Sequence, residues 1–165
     1  MNYRFRILLF CLGTAAFTGC DRITKDLAKQ HLQDRVPVTY LHNTIHLIYA
    51  ENTGAAMNFG DDLPKKASFW LLSILPLAFI GGLAVYTLAH VKEMSTLKLI
   101  SFILVISGGL GNIIDRIFND RHVTDFMLLS IGKLHTGIFN VADICVSAGV
   151  IGLLLSFRER KVSSV

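Results

Sequence analysis

The apolar positions of this chain gather in four long blocks, at about 7–25, 67–90, 96–114 and 139–157. Within each block hydrophobic residues run nearly continuously instead of marking one stripe, as expected of helices surrounded by hydrocarbon. Each block is close to the ~20 residues that a helix rising 1.5 Å per residue needs to cross an apolar layer of about 30 Å. Pro76 and the Gly81-Gly82 pair interrupt the second block, which membrane helices tolerate because neighbouring groups re-satisfy the backbone. Between the first two blocks the period changes to two. Val36, Val38 and Tyr40 alternate, as do Ile45, Leu47 and Tyr49, with His42-Asn43 between them as a turn. This predicts a β-hairpin lying at the membrane surface. The expected fold is an all-α membrane protein of four transmembrane helices, with a small β element (a cradle or hairpin) between helices 1 and 2. One polytopic domain covers residues 1–165, without repeat, low-complexity segment or linker.

Composition sharpens this picture. Of 165 residues 52% are hydrophobic and only 17% charged, against about a quarter in ordinary soluble domains. The pI of about 9.1 raises the question of nucleic acid. However, Arg4, Arg6, Lys92, Lys98, Arg158, Arg160 and Lys161 all flank apolar blocks, where they act as membrane anchors. By the positive-inside rule the termini and the 90–98 connection are cytoplasmic. The loops at about 26–66 and 115–138 are then periplasmic, with Lys65 and Lys66 against the trend. Cys11, Cys20 and Cys145 form no Cys-x-x-Cys pair, so free thiols buried among apolar residues are expected.

Charge inside a membrane span costs roughly 2.5–3.5 kcal/mol per residue on insertion scales and so points to function. Asp21, Asp115, Asp125 and Asp143 all fall near one predicted boundary. Two adjacent carboxylates resist joint ionisation, so one holds a proton while the other acts as base. That combination can activate water against a peptide carbonyl. Other hydrolytic arrangements find less support. There is no His-Glu-x-x-His motif, and His42 and His46 lie in the hairpin without a nearby third ligand. No Ser or Cys has a base partner in its span, and no Lys there suits a Ser-Lys dyad. Asp21 precedes Lys25 by one turn and Asp115 precedes Arg116, so each is expected to form an internally paired clasp. Asp125 and Asp143 have no basic sequence neighbour and are the expected acid/base pair. A membrane protein that relays protons or binds a cation through these acids is the competing reading.

The same segments resemble the motifs of the lipoprotein signal peptidase family (signal peptidase II, prolipoprotein signal peptidase). They are Asp21-Arg22-Ile23-Thr24-Lys25, Asn52-Thr53-Gly54-Ala55-Ala56, Gly108 through Arg116, Val123-Thr124-Asp125-Phe126 and Phe139-Asn140-Val141-Ala142-Asp143. Five motifs in order cover nearly the whole chain. The resemblance implies an aspartyl endopeptidase of the bacterial inner membrane, with Asp125 and Asp143 as the catalytic dyad and neither metal nor organic cofactor. Its substrate would be a prolipoprotein carrying diacylglycerol on the lipobox Cys, cut on the amino side of that Cys, with membrane lipids as surroundings. Asn52, Asn112, Arg116 and Asn140 would be polar supports. Gly54 and the glycines of 108–111 would allow close approach in the pocket, and Asp21, Lys25, Asp115 and Ala142 would complete the supporting set. The hairpin would be the family's periplasmic cradle, and globomycin-like peptides would inhibit. Met57 stands where Phe is common, Thr124 where Val or Ile is usual, and Ile144 where Ser is frequent. These departures bear on substrate range and rate, and an inactive relative that binds precursors without cutting them is the remaining alternative. Phe17-Thr18-Gly19-Cys20 faintly resembles a lipobox in this chain itself. Its Phe, and the embedded chain that follows, favour an uncleaved first helix.

Overall fold

The computed structural model describes residues 2–54 and 64–162. Ala55, Ala56 and Met57 lie outside the described residues, as do the side chains of Arg158, Arg160 and Lys161. The helices are α1 (Tyr3–Leu32), α2 (Lys65–Ala89), α3 (Thr96–Phe118) and α4 (Val141–Val162). The first three are long and apolar enough to cross a membrane, and α4 is apolar over Val141–Phe157. At 30 residues, α1 is about 45 Å long and overshoots its apolar block.

The apolar blocks form helices in spite of their breakers, and α2 shows how. Residues Trp70–Ile74 form a π-helical turn, in which the Leu75 N–H bonds the Trp70 carbonyl. Pro76 follows directly. Its ring crowds the carbonyl four residues back and it has no N–H to donate, so a widened turn accommodates it without ending the helix. The second block is therefore one continuous helix.

The β structure differs from expectation. The hairpin forms, as β1 (Val38–Tyr40) and β2 (Ile45–Asn52), but it is half of a larger sheet. The α3–α4 connection adds β3 (Val123–Ile131) and β4 (Leu134–His135), and the antiparallel order is β1-β2-β3-β4. Asp125 thus sits on a central strand, opposite Ala50, and not in a loop. A bulge between Leu47 and Ala50 shifts the β2–β3 register. The sequence from Val123 to Ile131 has no clean alternation because its first four residues are all buried. The turn is also wider than the expected His42-Asn43, since Leu41, His42 and Asn43 all have left-handed backbone.

Central in the bundle, α3 packs Leu99, Phe102, Ile103, Ile106 and Ile113 against Phe10, Ile80, Val91 and Met94. Large apolar side chains such as Leu12, Ile23, Trp70, Phe79, Val85, Ile151 and Leu154 point outward, consistent with a hydrocarbon surround. Of the three free cysteines only Cys145 is buried; Cys11 and Cys20 lie on the outer surface of α1, contrary to the expectation of burial. At one end of the bundle Arg6 donates to the carbonyls of Val91 (2.9 Å) and Met94 (2.5 Å). There too the Lys92 ammonium lies 4.5 Å from the Tyr3 ring and Lys98 lies 5.3 Å from Phe157. The start of α1, the α2–α3 connection and the later part of α4 therefore share that end.

Small residues bring α3 and α4 together. A Cβ on Gly149 would lie 2.7 Å from the Ser101 carbonyl oxygen and 2.9 Å from the Val105 nitrogen, whereas one on Gly81 would meet open space. Gly149→Ala should lower stability by roughly 1–3 kcal/mol through overpacking. Gly81→Ala should be neutral, or stabilising by about 0.5–1 kcal/mol through helix propensity. Thermal unfolding of both variants in detergent micelles checks the contrast; equal effects would contradict this packing.

Candidate active site

At the opposite end of the bundle, Asp21 and Lys25 lie one turn apart on α1 and face the end of α3 and the start of α4. Lys25 is 2% exposed, and its ammonium has three acceptors: Asp21 Oδ2 at 2.8 Å, Asp115 Oδ2 at 2.9 Å and Asn112 Oδ1 at 3.0 Å. A lysine ammonium has three donors, so this one is saturated. Asp21 Oδ1 accepts the Ala142 N–H at 2.8 Å, satisfying a free donor in the first turn of α4. Gly111 makes room for it, since a Cβ there would sit 2.5 Å from Asp21 Oδ2.

Asp115 is fully buried and makes a clasp, but not with Arg116. Its partners are Lys25, the Arg22 guanidinium, the Asn119 amide and the Thr124 N–H. Arg116, one residue on, projects about 100° further around the helix. It donates to the Gly54 carbonyl at 2.7 Å and to the Asn112 carbonyl at 3.4 Å. Arg22 was not singled out from the sequence. Its place three residues before Lys25, on the same face of α1, was the available signal.

Asp125 and Asp143 come from different elements and are bridged by Asn140. The Asn140 side-chain oxygen accepts the Asp143 N–H at 3.0 Å, and Asp143 Oδ2 accepts the Asn140 N–H at 3.0 Å. This is the reciprocal geometry of a capping box, with the aspartate three residues after the cap. The Asn140 amide nitrogen donates to Asp125 Oδ1 at 2.6 Å and to Asn112 Oδ1 at 3.1 Å. Asn112 in turn donates to Asp143 Oδ1 at 2.8 Å, and Asn52 donates to Asp125 Oδ2 at 3.4 Å. Burial first, and then the Asp143 carboxylate, pushes the Asp125 carboxyl up from 3.8 to about 6.

The expected dyad and its expected supporting set meet at this end: Asp21, Lys25, Asn52, Gly54, Asn112, Asp115, Arg116, Asp125, Asn140, Ala142 and Asp143. Thr124 joins through its backbone, whereas Ile144 points outward. His46 bonds the Asn43 carbonyl within the hairpin turn. Among the described residues, no three His, Cys, Asp or Glu side chains are grouped so as to hold a metal ion. Chemically, the arrangement offers two carboxyl groups oriented by amides, with a guanidinium nearby.

The model of the family Signal peptidase (SPase) II matches residues 14–158. A lipoprotein signal peptidase of Xylella fastidiosa (strain M12) is 34% identical over 157 residues, which cover 94% of this chain and 92% of that protein. One of Hydrogenovibrio crunogenus is 38% identical over 137 residues, covering 82% and 77%. Among solved structures, a bacterial membrane enzyme has the same fold, with a TM-score of 0.81 and 23% identity over 96% of this chain and 93% of that one. A second has a TM-score of 0.75 and 24% identity, over 92% and 93%. With a family match across most of its length and apolar helices built to span a bilayer, this chain belongs to the signal peptidase II family, the membrane proteases of lipoprotein processing.

Proposed function

We propose that the protein is an aspartyl endopeptidase that cleaves diacylglyceryl-modified prolipoproteins on the amino side of the lipobox Cys, with Asp125 and Asp143 as its catalytic dyad. The observation that carries this is the Asn140 bridge, which holds two carboxyl groups from separate elements in one buried network. One carboxylate takes a proton from a water whose oxygen attacks the scissile carbonyl carbon. The protonated partner gives its proton to the carbonyl oxygen, forming a tetrahedral diol. Collapse breaks the C–N bond as the newly protonated Asp gives its proton to the departing amine of the lipid-modified Cys. The other carboxylate takes a diol hydroxyl proton, leaving a carboxylic acid and a dyad that again shares one proton.

In this reading four spans cross the bacterial inner membrane, with cytoplasmic termini and the dyad at the periplasmic face. The basic flanks of the apolar blocks support that orientation. A site at the bundle end suits a scissile bond that a lipid anchor holds at the membrane surface. Globomycin-like peptides are the expected inhibitors. The proton- or cation-handling reading loses support because Asp21 and Asp115 already neutralise Lys25 and Arg22.

The test is a gel-shift assay of a diacylglyceryl-modified prolipoprotein with purified wild type, Asp125→Asn and Asp143→Asn, and a chelator in a parallel lane. Wild type should cleave with or without chelator, and both variants should lose at least about 10³-fold in rate, as when members of a catalytic unit are removed. Full cleavage by either folded variant would sink the dyad.

The raised Asp125 carboxyl also predicts a pH dependence of stability. Between pH 3.8 and about 6 the folded protein binds more protons at Asp125 than the unfolded chain does, so stability falls as pH rises through that window. The loss is on the order of 3 kcal/mol. Melting temperatures of wild type should therefore drop from pH 4 to pH 7 by more than those of Asp125→Asn; parallel curves would refute the assignment.

A further inference from the structure

We infer that Lys25 is a positioning residue for the proposed reaction, acting through Asn112: its ammonium decides which way the Asn112 amide faces, and so secures a hydrogen-bond donor for Asp143. The inference rests on the dyad reading above. Lys25 is buried where α1 meets α3, and its three donors are all engaged within the protein. Hydrogen bonds link it to Asp143 through a neighbour, and its positive charge also acts on Asp125 at a distance.

The two ends of an Asn amide are nearly the same shape, so its surroundings choose the orientation. On one side of Asn112 are Lys25 Nζ at 3.0 Å and Asn140 Nδ2 at 3.1 Å, both donors. On the other is Asp143 Oδ1 at 2.8 Å, an acceptor. With the oxygen toward Lys25, all three contacts are attractive. A flip would set the amide NH₂ against an ammonium and another NH₂, and the carbonyl oxygen against a carboxylate.

Of the two donors that enforce this choice, Lys25 is the stronger, because charge-assisted hydrogen bonds are roughly twice as strong as neutral ones. The Asn140 amide is already committed to Asp125 at 2.6 Å and can hold that bond in either Asn112 orientation. Lys25 is itself fixed from behind. Asp21 is tied to the Ala142 N–H, and Asp115 to Arg22 and the Thr124 N–H. The ammonium therefore has one remaining direction, toward Asn112. Asn112 and Asp115, three residues apart on α3, share the face that meets it.

The experiment is a kinetic double-mutant cycle on the full chain in detergent micelles, with a diacylglyceryl-modified prolipoprotein as substrate. Lys25→Met should lower kcat about 100-fold, the scale of a misplaced reacting group, and leave KM within about twofold. Because that change strips Asp21 of its cation, the cycle is repeated with Asp21→Asn/Lys25→Met, where the introduced amide oxygen can still accept the Ala142 N–H. In an Asn112→Leu background the loss of Lys25 should cost less than about threefold in kcat, since the residue it acts through is gone. An equal loss of kcat in both backgrounds, or a lower melting temperature with kcat unchanged, would overturn the positioning role and leave the dyad intact. Folded wild type that fails to cleave would instead overturn the proposed function, and this inference with it.

Discussion

An ammonium ion taken out of water and left short of acceptors costs several kcal/mol, and so does an unpaired carboxylate. Lys25 and Asp115 are both buried at the end of a helix bundle, so each must keep its charged partners, Asp21 and Asp115 for the ammonium and Lys25 and Arg22 for the carboxylate. That requirement ties three helices together. Asp21 and Lys25 come from α1, Asp115 and Asn112 from α3, and the Ala142 N–H from α4. Apolar packing between these helices is non-directional and would tolerate sliding or rotation. A saturated ammonium does not, because a shift of one residue would strand at least one charge.

The two candidate catalytic carboxyls depend on this frame by different routes. Asp143 belongs to the capping box that opens α4, so the local backbone aims it. Asp125 is aimed by the register of β3 against β2, which sets it opposite Ala50 and within reach of Asn52. Asn140 is where the two routes meet: it caps α4 with its oxygen and holds Asp125 with its nitrogen. The helix start and the sheet are thus coupled through one side chain. A polar network of this kind is worthwhile only when all of its groups are satisfied.

Small residues of α3 and α4 serve the same end. Gly111 lets Asp21 in, and Gly149 lets α4 close on Ser101. At the other end Arg6 bonds two carbonyls of the α2–α3 connection, so polar contacts bound the bundle at both ends while its flanks stay apolar.

Much of this was legible in the chain. Continuous apolar blocks dictate helices because a backbone in hydrocarbon must satisfy its own hydrogen bonds. Alternation at 36–40 and 45–49 dictates the hairpin. Acids beside apolar blocks mark the candidate site because they are costly there. Other features are set by long-range partners. That Val123–Ile131 would be a strand, and that Asp115 would choose Arg22 and Lys25 over the adjacent Arg116, could not be read locally. Strand pairing is a property of two segments, and a charge on a helix meets whatever its face is turned toward. Local pattern determined which residues had to leave water and which elements they would form. The tertiary structure alone decided which buried group would answer which, because an ion pair or a hydrogen bond depends on distance in space and not on distance along the chain.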